Sequence, residues 1–266
     1  MQSPTEFGFE IRPDGVAVLT LDRQDSLNSL TFAIYAQLER FFLELQHEDR
    51  VRAIVLTGAG KGFCSGGNVN DIIGALLAAD VATTLKFTRM TGAVVRNMLR
   101  LDKPIVAAVN GTAAGAGTVL ALAADLRLLA DHASFAFLFT RVGLTGADMG
   151  AAWLLPKVIG RGHASELLML GDRVDAATCL RLGIANRVLA AAELLPAAIE
   201  LAARLAKGPA LALAMTKRML VNESIMDLDS AIEQEAQAQA LLLRCHDHAE
   251  FHAAWKEKRE PRFEGR

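Results

Sequence analysis

As a string of apolar and polar positions, the first two thirds of the chain alternate between two textures. Short apolar runs bounded by glycine, proline or charge predict strands at 15–21, 52–57, 104–109, 126–130 and 133–137. The runs at 52–57 and 104–109 are apolar at nearly every position, as in strands buried on both faces. Between the runs lie stretches of helical spacing, clearest from Leu30 to Gln46. Strands and helices in alternation predict an α/β fold with parallel sheet. From about Ala191 the texture changes to Ala, Leu, Glu, Gln and Lys, interrupted by Gly208-Pro209. Helices are predicted there over 191–206, 210–222, 227–245 and 248–258. Their wide apolar faces must fold back on the core or pack on a neighbour. No fixed-period repeat or low-complexity tract interrupts the pattern. We therefore divide the chain into a core, residues 1–190, and a helical region, residues 191–266.

Composition sharpens this only by exclusion. A chain of 266 residues, 52% hydrophobic and 22% charged, has the apolar content for a sizeable core. A net charge of −2 gives no electrostatic reason to expect nucleic acid or an acidic membrane surface as a partner. No apolar run approaches the about 20 residues of a membrane span, and Met1 to Glu6 lacks the basic-then-apolar pattern of a signal peptide. Three widely spaced cysteines, Cys64, Cys179 and Cys245, fit a reducing cytoplasm and form no zinc knuckle. His132, His163 and the histidines from His246 to His252 show no metal-ligand spacing, so no metal is expected. Gly58-Ala59-Gly60-Lys61 does not complete a nucleotide-binding loop.

Candidate chemistry lies in two glycine-rich turns. Phe63-Cys64-Ser65-Gly66-Gly67-Asn68 follows the 52–57 run, and Asn110 to Gly117 follows the 104–109 run. Glycine lets a backbone N–H approach a polarised oxygen with only hydrogen in the way. Two such turns face to face give two N–H donors to one oxygen, an oxyanion hole suited to a thioester enolate. Cys64 lies inside the first turn; with no histidine nearby in sequence, it reads better as a small packing residue than as a nucleophile.

This pair of turns resembles that of the crotonase (enoyl-CoA hydratase/isomerase) superfamily, and the likeness runs from Val18 to Arg266. Arg23-Gln24-Asp25-Ser26-Leu27-Asn28-Ser29-Leu30 is similar to a segment whose backbone lines the CoA pocket. That places Ser26 and Leu27, with Cys64 and Gly66 of the first turn, among the substrate-binding residues. By the same match the oxyanion N–H groups belong to Gly67 and Ala116. Asp125 and Arg127, two apart at a strand start, read as structural. Val142 to Leu144 and Leu154 to Gly160 match the loop and helix that wall the site. The ending Trp255-Lys256-Glu257-Lys258 resembles a tail whose aromatic and lysine, here Trp255 and Lys258, contact CoA, often a neighbour's. The resemblance implies a ββα spiral with C-terminal helices that build a homotrimer or a hexamer (a dimer of trimers). It also implies acyl-CoA chemistry of the kind found in fatty acid metabolism, with no cofactor beyond the CoA that arrives with the substrate.

The match breaks at the acids. Hydratases of this superfamily use two carboxylates, one to hold water or take a proton and one to deliver it. The corresponding positions here are Val119 and Phe139. One acid remains in the neighbourhood, Asp148, which coincides with an aspartate of dienoyl-CoA isomerases and with the nucleophilic aspartate of 4-chlorobenzoyl-CoA dehalogenases. It is either a base or nucleophile facing the acyl group, or an N-cap for a helix starting near Met149. Three functions follow: hydratase/isomerase-type chemistry centred on Asp148, dehalogenase-like or hydrolytic chemistry with Asp148 as nucleophile, or acyl-CoA binding without turnover. Val119 and Phe139 make the acyl pocket apolar, and Phe135, Phe137 and Phe139 are expected on one face of a strand. Trp153 either flanks the acyl group or, as its helical spacing suggests, joins the core. Asn68 and Asn70 either bond a carbonyl or cap the next helix, and Arg89 and Arg141 either meet a polar acyl substituent or are solvated.

Overall fold

A computed structural model describes residues 3–266; the leader reading at Met1 and Gln2 lies outside the described residues. The strands are β1 (Gly8–Ile11), β2 (Val16–Leu21), β3 (Ala53–Gly58), β4 (Gly62–Cys64), β5 (Ile105–Val109), β6 (Thr112–Ala114), β7 (Leu126–Ala130), β8 (Ser134–Ala136), β9 (Arg173–Asp175) and β10 (Arg187–Leu189). They form a six-stranded sheet in the order β1-β2-β3-β5-β7-β10 and a four-stranded sheet in the order β4-β6-β8-β9. Parallel pairing predominates; β1 with β2 and β8 with β9 are antiparallel. Edge strand β1 alternates exposed and half-buried residues over four positions, too short a pattern to announce itself in sequence.

Ten helices accompany the sheets: α1 (Phe32–Leu45), α2 (Gly74–Ala78), α3 (Val81–Arg100), α4 (Ala116–Ala123), α5 (Ala151–Leu170), α6 (Ala176–Leu182), α7 (Ala191–Ala206), α8 (Ala210–Asn222), α9 (Leu228–Leu242) and α10 (His246–Glu257). Three times a strand of the large sheet hands over within a few residues to a strand of the small one and then to a helix. β3-β4 leads to α2 and α3, β5-β6 to α4, and β7-β8 to α5. This is the ββα spiral.

The core forms where these layers meet. Val55, Leu56, Val106 and Ala107 of the large sheet are sealed from solvent, as are all eight residues of α4. Helix α7 buries Leu194, Ala198, Ala202 and Ala206 in the same core, so the first helix of the 191–266 region packs on the large sheet. Helix α8 is fastened by Lys217, whose Nζ donates to Asp125 at 2.8 Å and to the Lys103 carbonyl at 3.1 Å. At its end and beyond it the apolar faces are open: Leu220, Ile225, Leu228, Leu243 and Phe251 are exposed. No helix among the described residues is long and apolar enough to cross a membrane.

Candidate active site

The first glycine turn is built on borrowed hydrogen bonds. Asn28, buried and in the left-handed region (φ 60°), donates to the carbonyls of Ala59 at 2.9 Å and Gly62 at 2.7 Å. Asn110 grips the same corner, accepting from the Gly58 N–H at 3.1 Å and donating to the Gly60 carbonyl at 3.0 Å. The segment after Ser26 lies alongside the turn: the Ser65 N–H donates to the Leu27 carbonyl at 2.9 Å and the Leu30 N–H to the Gly66 carbonyl at 2.8 Å. The Ser65 hydroxyl donates to the Ser26 carbonyl at 2.7 Å. Ser26 and Leu27 therefore border the first turn, and Leu27 projects to the surface.

The second turn abuts the first. A Cβ placed on Gly66, which adopts φ +94°, would sit 2.9 Å from the Ala114 carbonyl oxygen and 3.5 Å from the Ala116 nitrogen. One placed on Gly117 would collide with the Cys64 carbonyl oxygen. Glycine is required at both positions, first by backbone sign and then by space. Ala116 is the first residue of α4, so its N–H has no partner within the helix. Neither the Gly67 N–H nor the Ala116 N–H has an acceptor among the described residues. Both turns thus carry an unspent N–H donor, and the two turns abut.

Around them the side chains depart in part from expectation. Cys64 is sealed from solvent and burial pushes its thiol up to about 12, so it supplies neither a nucleophile nor a surface for substrate. Val119 is likewise 0% exposed and backs the site from within the core. Phe139 does border the turns, its ring 3.9 Å from where a Cβ on Gly115 would lie. The expected shared face of Phe135, Phe137 and Phe139 is not formed: β8 ends at Ala136, and Phe139 lies in a short 3-10 helix, Leu138–Val142. Trp153 is not in the core; it is 37% exposed on the first turn of α5, with Lys157 Nζ 4.2 Å over its ring. Asn68 caps, its Oδ1 accepting from the N–H groups of Asn70 and Asp71, both at 3.0 Å. Arg141 pairs with Asp172, and Arg89 is solvated. Asp125 and Arg127 are structural but do not pair; Arg127 donates to the carbonyls of Ile184 and Ala124, both at 2.6 Å. Trp255 is 70% exposed near the end of α10 and Lys258 follows it in the left-handed region, with no hydrogen bond from either to the glycine turns. Among the described residues no cluster of histidine, cysteine or carboxylate could hold a metal.

Asp148 does not cap. Helix α5 starts at Ala151 behind Gly150, and no side chain bonds its first turn. The carboxyl is half-buried instead. Burial pushes its pKa up from the ordinary value, opposed only by the neighbouring Met149 N–H. Tyr35 of α1, which sequence analysis did not single out, meets this segment. Its hydroxyl donates to Met149 Sδ at 4.0 Å, and burial first, then negative charge at Cys64 and Asp148, pushes its pKa up.

Similarity to known proteins gives the family. Residues 12–266 match the family model described as enoyl-CoA hydratase/isomerase. The chain belongs to the enoyl-CoA hydratase/isomerase family. It is 36% identical over 254 residues to the 1,2-epoxyphenylacetyl-CoA isomerase of Escherichia coli (strain K12), covering 95% of this chain and 96% of that one. With the carnitinyl-CoA dehydratase of Escherichia coli (strain ATCC 8739) it shares 34% identity over 96% of its own length and 97% of the relative's. A Streptomyces coelicolor A3(2) structure, provisionally described as an enoyl-CoA hydratase, superposes with a TM-score of 0.96. It is 53% identical and covers 100% of this chain and 98% of that one. The protein is thus a crotonase-superfamily member, an acyl-CoA enzyme by family.

Proposed function

We propose that this enzyme relocates a proton, and with it a double bond, in an acyl-CoA thioester, with Asp148 as the acid/base. The thioester carbonyl accepts hydrogen bonds from the N–H groups of Gly67 and Ala116. Asp148, ionised, takes a carbon-bound proton beside the conjugated system; the electron pair moves onto the carbonyl oxygen as an enolate, and the same carboxyl returns the proton at another carbon. Charge is thereby held where the donors are already aimed, and one such donor is worth about 3 kcal/mol of barrier. The observation that carries this reading is the half-buried carboxyl of Asp148, its pKa raised by burial, in a chain whose two glycine turns keep unspent N–H donors; by the resemblance, Phe139 and Val119 stand where a hydratase carries its acids. A lone carboxyl can shuttle one proton, whereas adding water calls for a second group. A relative that is by name an isomerase, at 36% identity, supports the same choice.

Several parts of the reading go with it. CoA enters as part of the substrate, along the Ser26–Leu27 backbone, and Trp255 and Lys258 reach it from a neighbouring subunit. The exposed apolar faces of α8 to α10 close on other copies in a trimer or hexamer. Three free cysteines, two of them buried, suit the reducing cytoplasm. The test is incubation with a panel of enoyl-, dienoyl- and aryl-CoA thioesters, followed by mass spectrometry and by deuterium uptake from heavy water. Isomer formation with deuterium incorporation, lost in Asp148→Asn, is the expected result. Hydration of crotonyl-CoA by both proteins would sink the assignment of Asp148. A covalent acyl-enzyme on Asp148 would replace proton relocation with nucleophilic chemistry.

A further inference from the structure

Tyr35 is a buried polar group that the chemistry above leaves unused. It lies on the inner face of α1, 3% exposed, with its ring edge-on to Phe87 of α3 at 5.6 Å. A phenylalanine would fill that role in packing. The hydroxyl adds one hydrogen bond among the described residues, to Met149 Sδ, across 114 positions of sequence. A thioether is a weak acceptor, and a hydroxyl buried against so poor a partner is kept at a cost in stability.

The acceptor is itself unusual. Met149 is buried and adopts φ 50°, a left-handed conformation that a side chain other than glycine's rarely takes. Gly150 follows at φ 97°, and the turn closes on one local bond, from the Ala151 N–H to the Asp148 carbonyl at 2.8 Å. No side chain caps the helix behind it. The contact from Tyr35 is therefore a long-range tie on the strained turn that carries Asp148. Resting on the reading of Asp148 as the base, we propose that Tyr35 is its positioning residue: the hydroxyl, through Met149 Sδ, holds the left-handed turn and so sets the direction and burial of the carboxyl. The Asp148 charge in turn acts on the Tyr35 hydroxyl, after burial and the Cys64 thiol, which puts the two groups within electrostatic reach. Tyr35 from α1 is the titratable group that meets this turn, and no cation pairs with Asp148 among the described residues.

The test follows the Asp148 carboxyl itself. Protein labelled with 13C at the aspartate carboxyl is titrated by NMR, the Asp148 signal being the one missing from Asp148→Asn. Tyr35→Phe and Met149→Leu each keep the bulk and remove one end of the tie. In both, the Asp148 midpoint is expected to move by about half a unit toward the ordinary carboxylate range as water enters the loosened turn. The double variant is expected to move no further than either single one. On the panel substrate that turns over, kcat falls about tenfold with KM nearly unchanged. Should Tyr35→Phe fail to fold, Met149→Leu carries the same readout. A midpoint unmoved in the variants that fold, or shifts that add in the double variant, would overturn the tie, even with Asp148→Asn inactive. If Asp148→Asn turns over at full rate while the midpoints move together, the tie stands and the catalytic reading fails.

Discussion

The donors of Gly67 and Ala116 are backbone groups on corners gripped by Asn28 and Asn110, whereas Asp148 is a side chain on a strained turn tied down by few bonds. The first half of the site cannot be changed without disturbing the sheets, because its atoms belong to every residue type. The second can be exchanged by one substitution with the fold intact. On the proposed reading, oxyanion stabilisation is a property of the architecture, and proton chemistry is a property of one loop.

The largest effect should come from adding an atom to the rigid half. Gly117→Ala drives a methyl into the Cys64 carbonyl and is expected to cost about 3 kcal/mol or more, read as a fall in the urea midpoint. Gly162→Ala, where a Cβ meets nothing within 4 Å, should instead hold or raise the midpoint, since alanine favours helix. Equal losses at the two glycines would remove the argument for a backbone-built corner.

Next comes the exchangeable half. Asp148→Asn is expected to lower kcat by about 10²- to 10⁴-fold while the circular dichroism spectrum is unchanged. It should also be the more stable protein at neutral pH, by about 1 kcal/mol or roughly 2–4 °C in Tm. The sign follows from burial. A carboxyl whose folded pKa is raised favours the native state below its unfolded pKa, and that contribution is lost as pH rises through the folded value. The melting temperatures of the two proteins should therefore converge in acid and separate toward neutrality. The same ionisation governs the rate: kcat/KM should climb with unit slope through the raised Asp148 pKa and then level, and the Asn variant should lack that limb. Trp153→Ala should do least, about 0.5–1 kcal/mol in stability, the range of a solvent-exposed cation–π pair. A large loss of activity there would extend the functional loop into α5.

The rigid half was legible in sequence because each turn is contiguous: a strand-like run, glycines and a helical stretch announce a backbone corner wherever they occur. The helices of the last third were legible for a similar reason, with 191–206 and 210–222 matching α7 and α8. What sequence could not supply was direction. Cys64 lies in the first glycine turn and Val119 follows the second along the chain, but both face into the core. Trp153 has core spacing and faces out on the first turn of α5. Tyr35 carried no signal beyond a helical stripe, since its partner lies more than a hundred residues away.

The chain makes three successive ββα turns. Gly67 leaves the first, Ala116 the second, and Phe139 with Asp148 the third. The first two perform one duty twice, presenting an amide at the exit of a small-sheet strand, and this duplication makes a pair of donors. The third exit is the odd one out, lengthened by a 3-10 helix and a loop before α5 begins. On the proposed reading, the two short exits hold the enolate and the long one decides what becomes of it. New reactions on this scaffold should accordingly be sought between Leu138 and Gly150, where the repetition stops.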